Sequence, residues 1–279
     1  MRLTSALRLM TILSMLAVPS GSVAAQRYWH DDQDRDAVHL DVWYPFLKGD
    51  ADRFFTGAFV PSVSHRIGEG FRIEGDLPLM RAGYTLPTGG KTSNFRIGNP
   101  YLGLRIGDDQ KLVTGIVGMR VPLEQTPTSL AGMQGVTAGL VSNTDDFEAF
   151  VPTLLTFRGG LEIRKLRKSG LVLGARGGSS LQISTSGNPV QETSVYFDYG
   201  ARIGYEGKRS LVDVALTGRY LINPNGSLSF DERTQHAASG TVEWRPGHVR
   251  PRATLRIPFD KVSRDVAGAV LGLGVGIAH

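Results

Sequence analysis

The sequence contains no cysteine. Disulfides and a lipoprotein anchor are therefore excluded, and in an exported chain this argues against a small disulfide-held scaffold. Beyond residue 25 no run of 18 consecutive apolar residues occurs, which excludes a transmembrane helix there. Hydrophobic residues make up only 41% of the chain, whereas glycine is abundant, with 35 residues. That pairing fits a chain that alternates apolar residues with small or polar ones. The formal net charge of +5 points toward anionic partners, and where the charge sits matters more than its size.

The N-terminus has the layout of a secretory signal peptide. Arg2 and Arg8 supply the positive region, Leu9 to Val18 a short apolar core, and Val23-Ala24-Ala25 the small residues before an expected cleavage at Gln26. The apolar run falls short of the roughly 20 residues a membrane helix needs. The expected organisation is a signal peptide (1–25), a polar segment (26–36) and one β-domain (37–279).

Alternation with period two recurs from about residue 37 to the end, which is the signature of strands. Val195, Phe197, Tyr199, Ala201, Ile203 and Tyr205 interleave with Ser194, Tyr196, Asp198, Gly200, Arg202 and Gly204. Val249, Pro251, Ala253, Leu255 and Ile257 interleave with Arg250, Arg252, Thr254 and Arg256. Such runs exceed the five or six residues usual in soluble sheets and match the roughly 9–11 of a tilted membrane strand. Strands are predicted near 37–47, 54–64, 70–80, 95–107, 111–122, 151–165, 170–183, 193–206, 210–222, 236–246, 249–258 and 267–279, with a bulge at Gly98-Asn99-Pro100.

The links support the same reading. Short links (near 66–69, 108–110, 166–169, 207–209 and 247–248) alternate with mostly longer ones (81–94, 123–150, 184–192, 223–235 and 259–266). Membrane barrels segregate tight periplasmic turns from long external loops in this way. The predicted fold is an all-β, up-and-down transmembrane antiparallel barrel of about 12 strands, placed in the outer membrane of a Gram-negative envelope. Its last strand would turn Leu271, Leu273, Val275 and Ile277 to lipid and Gly272, Gly274, Gly276 and Ala278 inward. Tyr44, Phe46, Phe59, Tyr101, Phe157, Tyr205, Tyr220 and Trp244 are candidate interface aromatics.

The stretches Arg72-Ile73-Glu74-Gly75-Asp76-Leu77-Pro78, Ile97 to Arg105 and Val117 to Pro122 resemble the early hairpins of outer-membrane transporter-like barrels, a group that includes proteins encoded with phenol-degradation pathways. The resemblance implies a solute channel and transfers no functional residue.

The predicted inner face is rich in arginine: Arg72, Arg105, Arg120, Arg158, Arg164, Arg176, Arg202, Arg219, Arg245, Arg250, Arg252 and Arg256. Glu74, Asp76, Glu162, Asp198, Glu206, Asp213 and Glu243 accompany them. On the lipid face at mid-bilayer each Arg or Lys would cost roughly 2–4 kcal/mol, so alternation must send them inside. There they form either a stiffening network or a lumen that favours anions. The Arg250, Arg252, Arg256 ladder beside the last strand's glycines is the expected exposed lumenal patch.

No catalytic, cofactor or metal site is predicted: Gly272-x-Gly-x-Gly lacks a following helix, and the histidines lack ligand spacing. His30-Asp31-Asp32 with Asp34 reads as part of the polar extension. The expected function is an outer-membrane channel or transporter for small solutes, with anions favoured. The alternatives are a structural or adhesive barrel, with the Gly/Thr/Ser-rich 123–150 loop as its contact surface or folded inward as a constriction, and a lipid-modifying barrel enzyme. Expected partners are the bilayer with its lipopolysaccharide, the barrel assembly machinery and small solutes; no cofactor and no nucleic acid are expected.

Overall fold

The computed structural model describes residues 36–48, 56–85, 89–107, 112–124, 126–128, 130–142, 144–186, 193–224 and 228–278. The expected signal peptide and the His30–Asp34 cluster lie outside them.

Fourteen strand segments form one antiparallel sheet: β1 (Ala37–Leu47), β2 (Gly57–Gly68), β3 (Phe71–Asp76), β4 (Leu79–Thr85), β5 (Lys91–Ile97), β6 (Tyr101–Ile106), β7 (Val113–Arg120), β8 (Leu154–Leu166), β9 (Leu171–Ser184), β10 (Ser194–Glu206), β11 (Ser210–Leu221), β12 (Thr234–Trp244), β13 (Val249–Pro258) and β14 (Ala267–Ala278). β3 and β4 both pair with β2 and are two halves of one stave, interrupted at Leu77-Pro78. β5 and β6 likewise form one stave broken at Gly98-Asn99-Pro100. The barrel thus has twelve staves, and it closes where β1 pairs with β14, from Ala37 opposite Ala278 to Leu47 opposite Ala267.

Alternation decides which face each side chain takes. On β13 exposure alternates without a break from Val249 to Pro258, Arg250, Arg252 and Arg256 being buried while Leu255 and Ile257 stand outside. The outer surface is a belt of large apolar residues, among them Leu40, Leu102, Leu161, Ile203, Val214, Leu216 and Leu273. Within the belt neighbouring strands pair along the ladder all the way round the barrel, which is what hydrocarbon demands.

Tight turns gather at the end where β1 begins and β14 finishes. Gly70 (φ 72°) and Gly170 (φ 87°) adopt left-handed conformations there, so the chain reverses within two to four residues. This is the periplasmic end in barrels of this type.

Three expectations need correction. The stretch 81–94 is largely strand, because β4 and β5 carry the hairpin on to Thr85 and Lys91. The second strand is Gly57–Gly68, three residues later than expected at its start, with Ala58, Val60 and Ser64 inward. Tyr101 is not an interface aromatic: it points inward, lying flat across Gly103 and Gly118, and is only 4% exposed. Tyr44, Phe46, Phe157, Tyr205 and Trp244 do stand on the outer surface.

Candidate functional site: the plugged lumen

The link between β7 and β8 folds into the barrel. It contains α1 (Leu130–Ser142) and a 3-10 segment, Thr144–Ala149. Val136, Ala149 and Phe150 of this plug pack with Trp43, Ala58, Val60, Met80 and Val270 of the wall, and Leu140 joins them. The apolar core of the protein therefore lies inside the loop end of the barrel. Of the 123–150 loop, considered above as a contact surface for partners, the helix and the 3-10 segment lie inside the lumen, while Leu123, Thr126 and Thr128 ahead of them are exposed.

The broken stave holds this plug. Asn99 is fully buried and sits in the gap between β5 and β6. Its Nδ2 donates to the carbonyls of Glu148 (2.8 Å) and Val151 (2.7 Å), while its Oδ1 accepts from the amides of Leu123 (3.0 Å) and Glu124 (2.9 Å). Its own amide donates to the carbonyl of Ala149 at 2.6 Å. One side chain thus ties down both ends of the plug. The expected bulge at Gly98-Asn99-Pro100 is a clamp. Thr153, where the chain leaves the plug, takes a left-handed φ of 57° and donates its amide to the carbonyl of Glu124 at 3.0 Å.

The residues expected to line the lumen are on the inner face, and most are drawn into ion pairs. Arg105 donates to Glu74 (2.7 Å) and Glu162 (3.1 Å), with all three side chains at most 5% exposed. Arg120 donates through Nη1 to Asp76 and the Asn99 carbonyl, and is also paired with Asp146 of the plug. Arg219 meets Glu148 of the plug at 2.6 Å and Asp198 at 2.8 Å, and it packs 4.0 Å from the centre of the Tyr196 ring. Arg158 lies farther off, 3.5 Å from Asp146 and 3.4 Å from Glu148. Near the turn end Arg164, Glu206, Arg245 and Glu243 form a chain of pairs. Arg202 lies across Gly174, and Asp213 is buried opposite Gly204. Arg176 lines a cavity with Arg158, and Arg72 lines another with Arg105 at the turn end.

The expected exposed patch is covered. Arg252 is held by Asp41 at 2.9 and 2.5 Å, and Arg256 stacks 5.1 Å from the Trp43 ring. The last strand's glycines explain why. Trp43 lies over Gly272, Asp41 and Arg252 over Gly274, and His39 over Gly276, so the bare backbone is floor for side chains of β1 and β13. Sequence reasoning missed Asp41, although the alternation of His39, Asp41 and Trp43 with Val38, Leu40 and Val42 carried the signal. Among the described residues no group of three potential metal ligands occurs.

No known protein family and no curated protein matches the chain. Among solved structures, the COG4313 outer membrane channel from Pseudomonas putida F1 superposes with a TM-score of 0.60 at 9% identity, over 88% of this chain and 96% of that one. The translocator domain of autotransporter NalP from Neisseria meningitidis gives 0.51 at 12% identity, over 98% and 96%. At these identities the likeness is one of fold, and the outer-membrane location expected from the sequence agrees with that fold.

Proposed function

We propose that this barrel is an outer-membrane channel for small solutes that favours anions, narrowed by its own inward-folded plug. The observation that carries the reading is the charge of the inner face. Among the described residues its inward-pointing arginines, taken by strand parity, narrowly outnumber its carboxylates even after Asp41 and Glu124, Asp146 and Glu148 of the plug are counted. Fixed excess charge of one sign beside a narrow aqueous path concentrates the opposite ion and sets selectivity. The reading assigns the barrel no covalent chemistry. Its partners would be the bilayer with its lipopolysaccharide, the assembly machinery that inserts it, and the solutes themselves.

The test is conductance of the refolded protein in a planar bilayer under a salt gradient. Discrete, small steps with a reversal potential displaced toward that of the anion are expected. A cation-directed reversal potential, or the absence of any conductance, would remove the reading.

A further inference from the structure

The hairpin of β4 and β5, at the loop end, carries an open strand edge. β4 pairs with β2 and β5, whereas β5 pairs with β4 alone and ends the strand order on that side. The Gly98 amide donates to the Pro78 carbonyl at 2.8 Å, which sets the phase of the ladder. Arg96, Asn94 and Thr92 therefore bond to β4, and the amides and carbonyls of Ser93 and Phe95 point the other way. Among the described residues those outward groups meet no backbone partner.

Comparable groups nearby are covered. On β4, just past the end of β2, the Thr56 hydroxyl accepts from the Gly83 amide (3.1 Å) and donates to the Gly83 carbonyl (3.2 Å). On the β5 side, the Asn99 amide is taken by the Ala149 carbonyl at 2.6 Å. The chain leaving β7 does not continue the sheet beside β5. Its Leu123 and Glu124 amides go to the Asn99 side chain, and Thr126 and Thr128 beyond them are exposed. An unpaired strand edge is a template for another chain.

The side chains around the edge define what fits it. On the outward face Phe95 is 58% and Ile97 49% exposed. On the inward face Asn94 Oδ1 is buried and accepts no hydrogen bond among the described residues. From Asp76 to Asp108 the sequence has no acidic residue between, whereas the hairpin carries Arg81, Lys91 and Arg96. Even with Arg96 paired to Glu124, the field of the hairpin is positive. Lipid phosphates match that charge but not a row of alternating donors and acceptors. A second copy in the same membrane is excluded by geometry. Its two-fold axis would lie along the bilayer normal, and strands tilted about 35–45° would then cross at roughly 70–90°.

We propose that the Lys91–Ile97 edge takes up an acidic, extended segment of an external polypeptide as an added strand, with an apolar residue beside Phe95 and a hydroxyl beside Asn94. The loop end is the external end in barrels of this type. This surface is independent of conduction through the lumen.

The experiment uses the full protein in lipid nanodiscs, titrated with a fluorescent seven-residue peptide in which threonine alternates with aspartate and valine. Fluorescence anisotropy is expected to show saturable binding. N-methylation of the peptide's edge-facing amides should weaken it by about tenfold or more, and so should lysine in place of aspartate. Ser93→Pro removes one edge amide without removing a bond to β4, and should also weaken binding by about tenfold. Ser93→Ala should leave it unchanged, with heat-modifiable gel migration verifying that each variant folds. Absence of saturable binding, or binding indifferent to N-methylation or to Ser93→Pro, overturns the proposal. Peptide binding that survives Ser93→Pro but is lost in nanodiscs containing lipopolysaccharide would assign the hairpin to lipid phosphates instead. Dimers that Ser93→Pro dissolves, in place of peptide binding, would assign the edge to a second copy.

Discussion

The backbone carbonyl of Ala149 occupies the space where a β-carbon on Gly98 would begin. The plug and the broken stave therefore approach more closely than any other residue at position 98 allows. Gly98→Ala must push the plug backbone off the wall, at a cost of about 1–3 kcal/mol for overpacking. The expected result is a folded barrel with larger and noisier single-channel conductance. A variant with unaltered conductance would show that the plug is not held at this point.

Arg219 and Glu148 join wall to plug with both side chains fully buried. Removing one partner leaves a buried charge, and such losses typically cost about 3–5 kcal/mol. Glu148→Gln and Arg219→Met should each speed hydrogen exchange of the plug segment around residues 146–150. Because Arg219 also serves Asp198 at 2.8 Å, Arg219→Met should be the more damaging of the two. The double variant should fall well short of the sum of the singles. Strict additivity would mean that the two groups do not act as a pair.

Why the barrel was legible and the plug was not follows from what each leaves in the sequence. A strand with lipid on one side and charge on the other must alternate, and Val249 to Pro258 does so without interruption. Parity alone therefore put Arg105, Glu162 and Arg256 inside, where they are buried. Parity says nothing of what faces a side chain across the lumen. That Arg219 meets Glu148, 71 positions earlier, or that Arg252 meets Asp41, 211 positions earlier, depends on closure and on a loop without periodicity. The helix Leu130–Ser142 left little mark because glycine and alanine break its apolar pattern. Those small residues are there for close packing: Gly139 lies so near the Phe150 ring that a β-carbon would stand 2.7 Å from it.

The seam offers another test. Asp41 of β1 and Arg252 of β13 pair across β14, over Gly274, so one ion pair bridges the two strands flanking the last one. Asp41→Asn leaves the buried Arg252 guanidinium without its carboxylate, a loss on the order of 3–5 kcal/mol. The temperature at which the folded gel band converts to the unfolded one should drop. A transition at the wild-type temperature would mean that backbone pairing of Ala37–Leu47 with Ala267–Ala278 holds the seam unaided.

At the turn end the carboxylate of Asp36 accepts from the backbone amide of Arg66 and faces the His65 ring, both at 2.8 Å. The Arg66 amide, followed by the hydrogen bond and charge of His65 and the more distant charge of Arg72, outweighs partial desolvation and holds the Asp36 pKa below its ordinary 3.8. A carboxyl group whose pKa is lower in the folded state lends stability above its unfolded pKa, and that contribution fades as pH falls through the folded value. The part of the tethering of the chain start to β2 that depends on the Asp36 carboxylate should therefore be lost only as pH falls below about 4. Hydrogen exchange at the Arg66 amide, corrected for intrinsic rate, reports it directly. Asp36→Asn should show reduced protection with no step in the acid range. The same acid step in the Asn variant would assign the titration to another group.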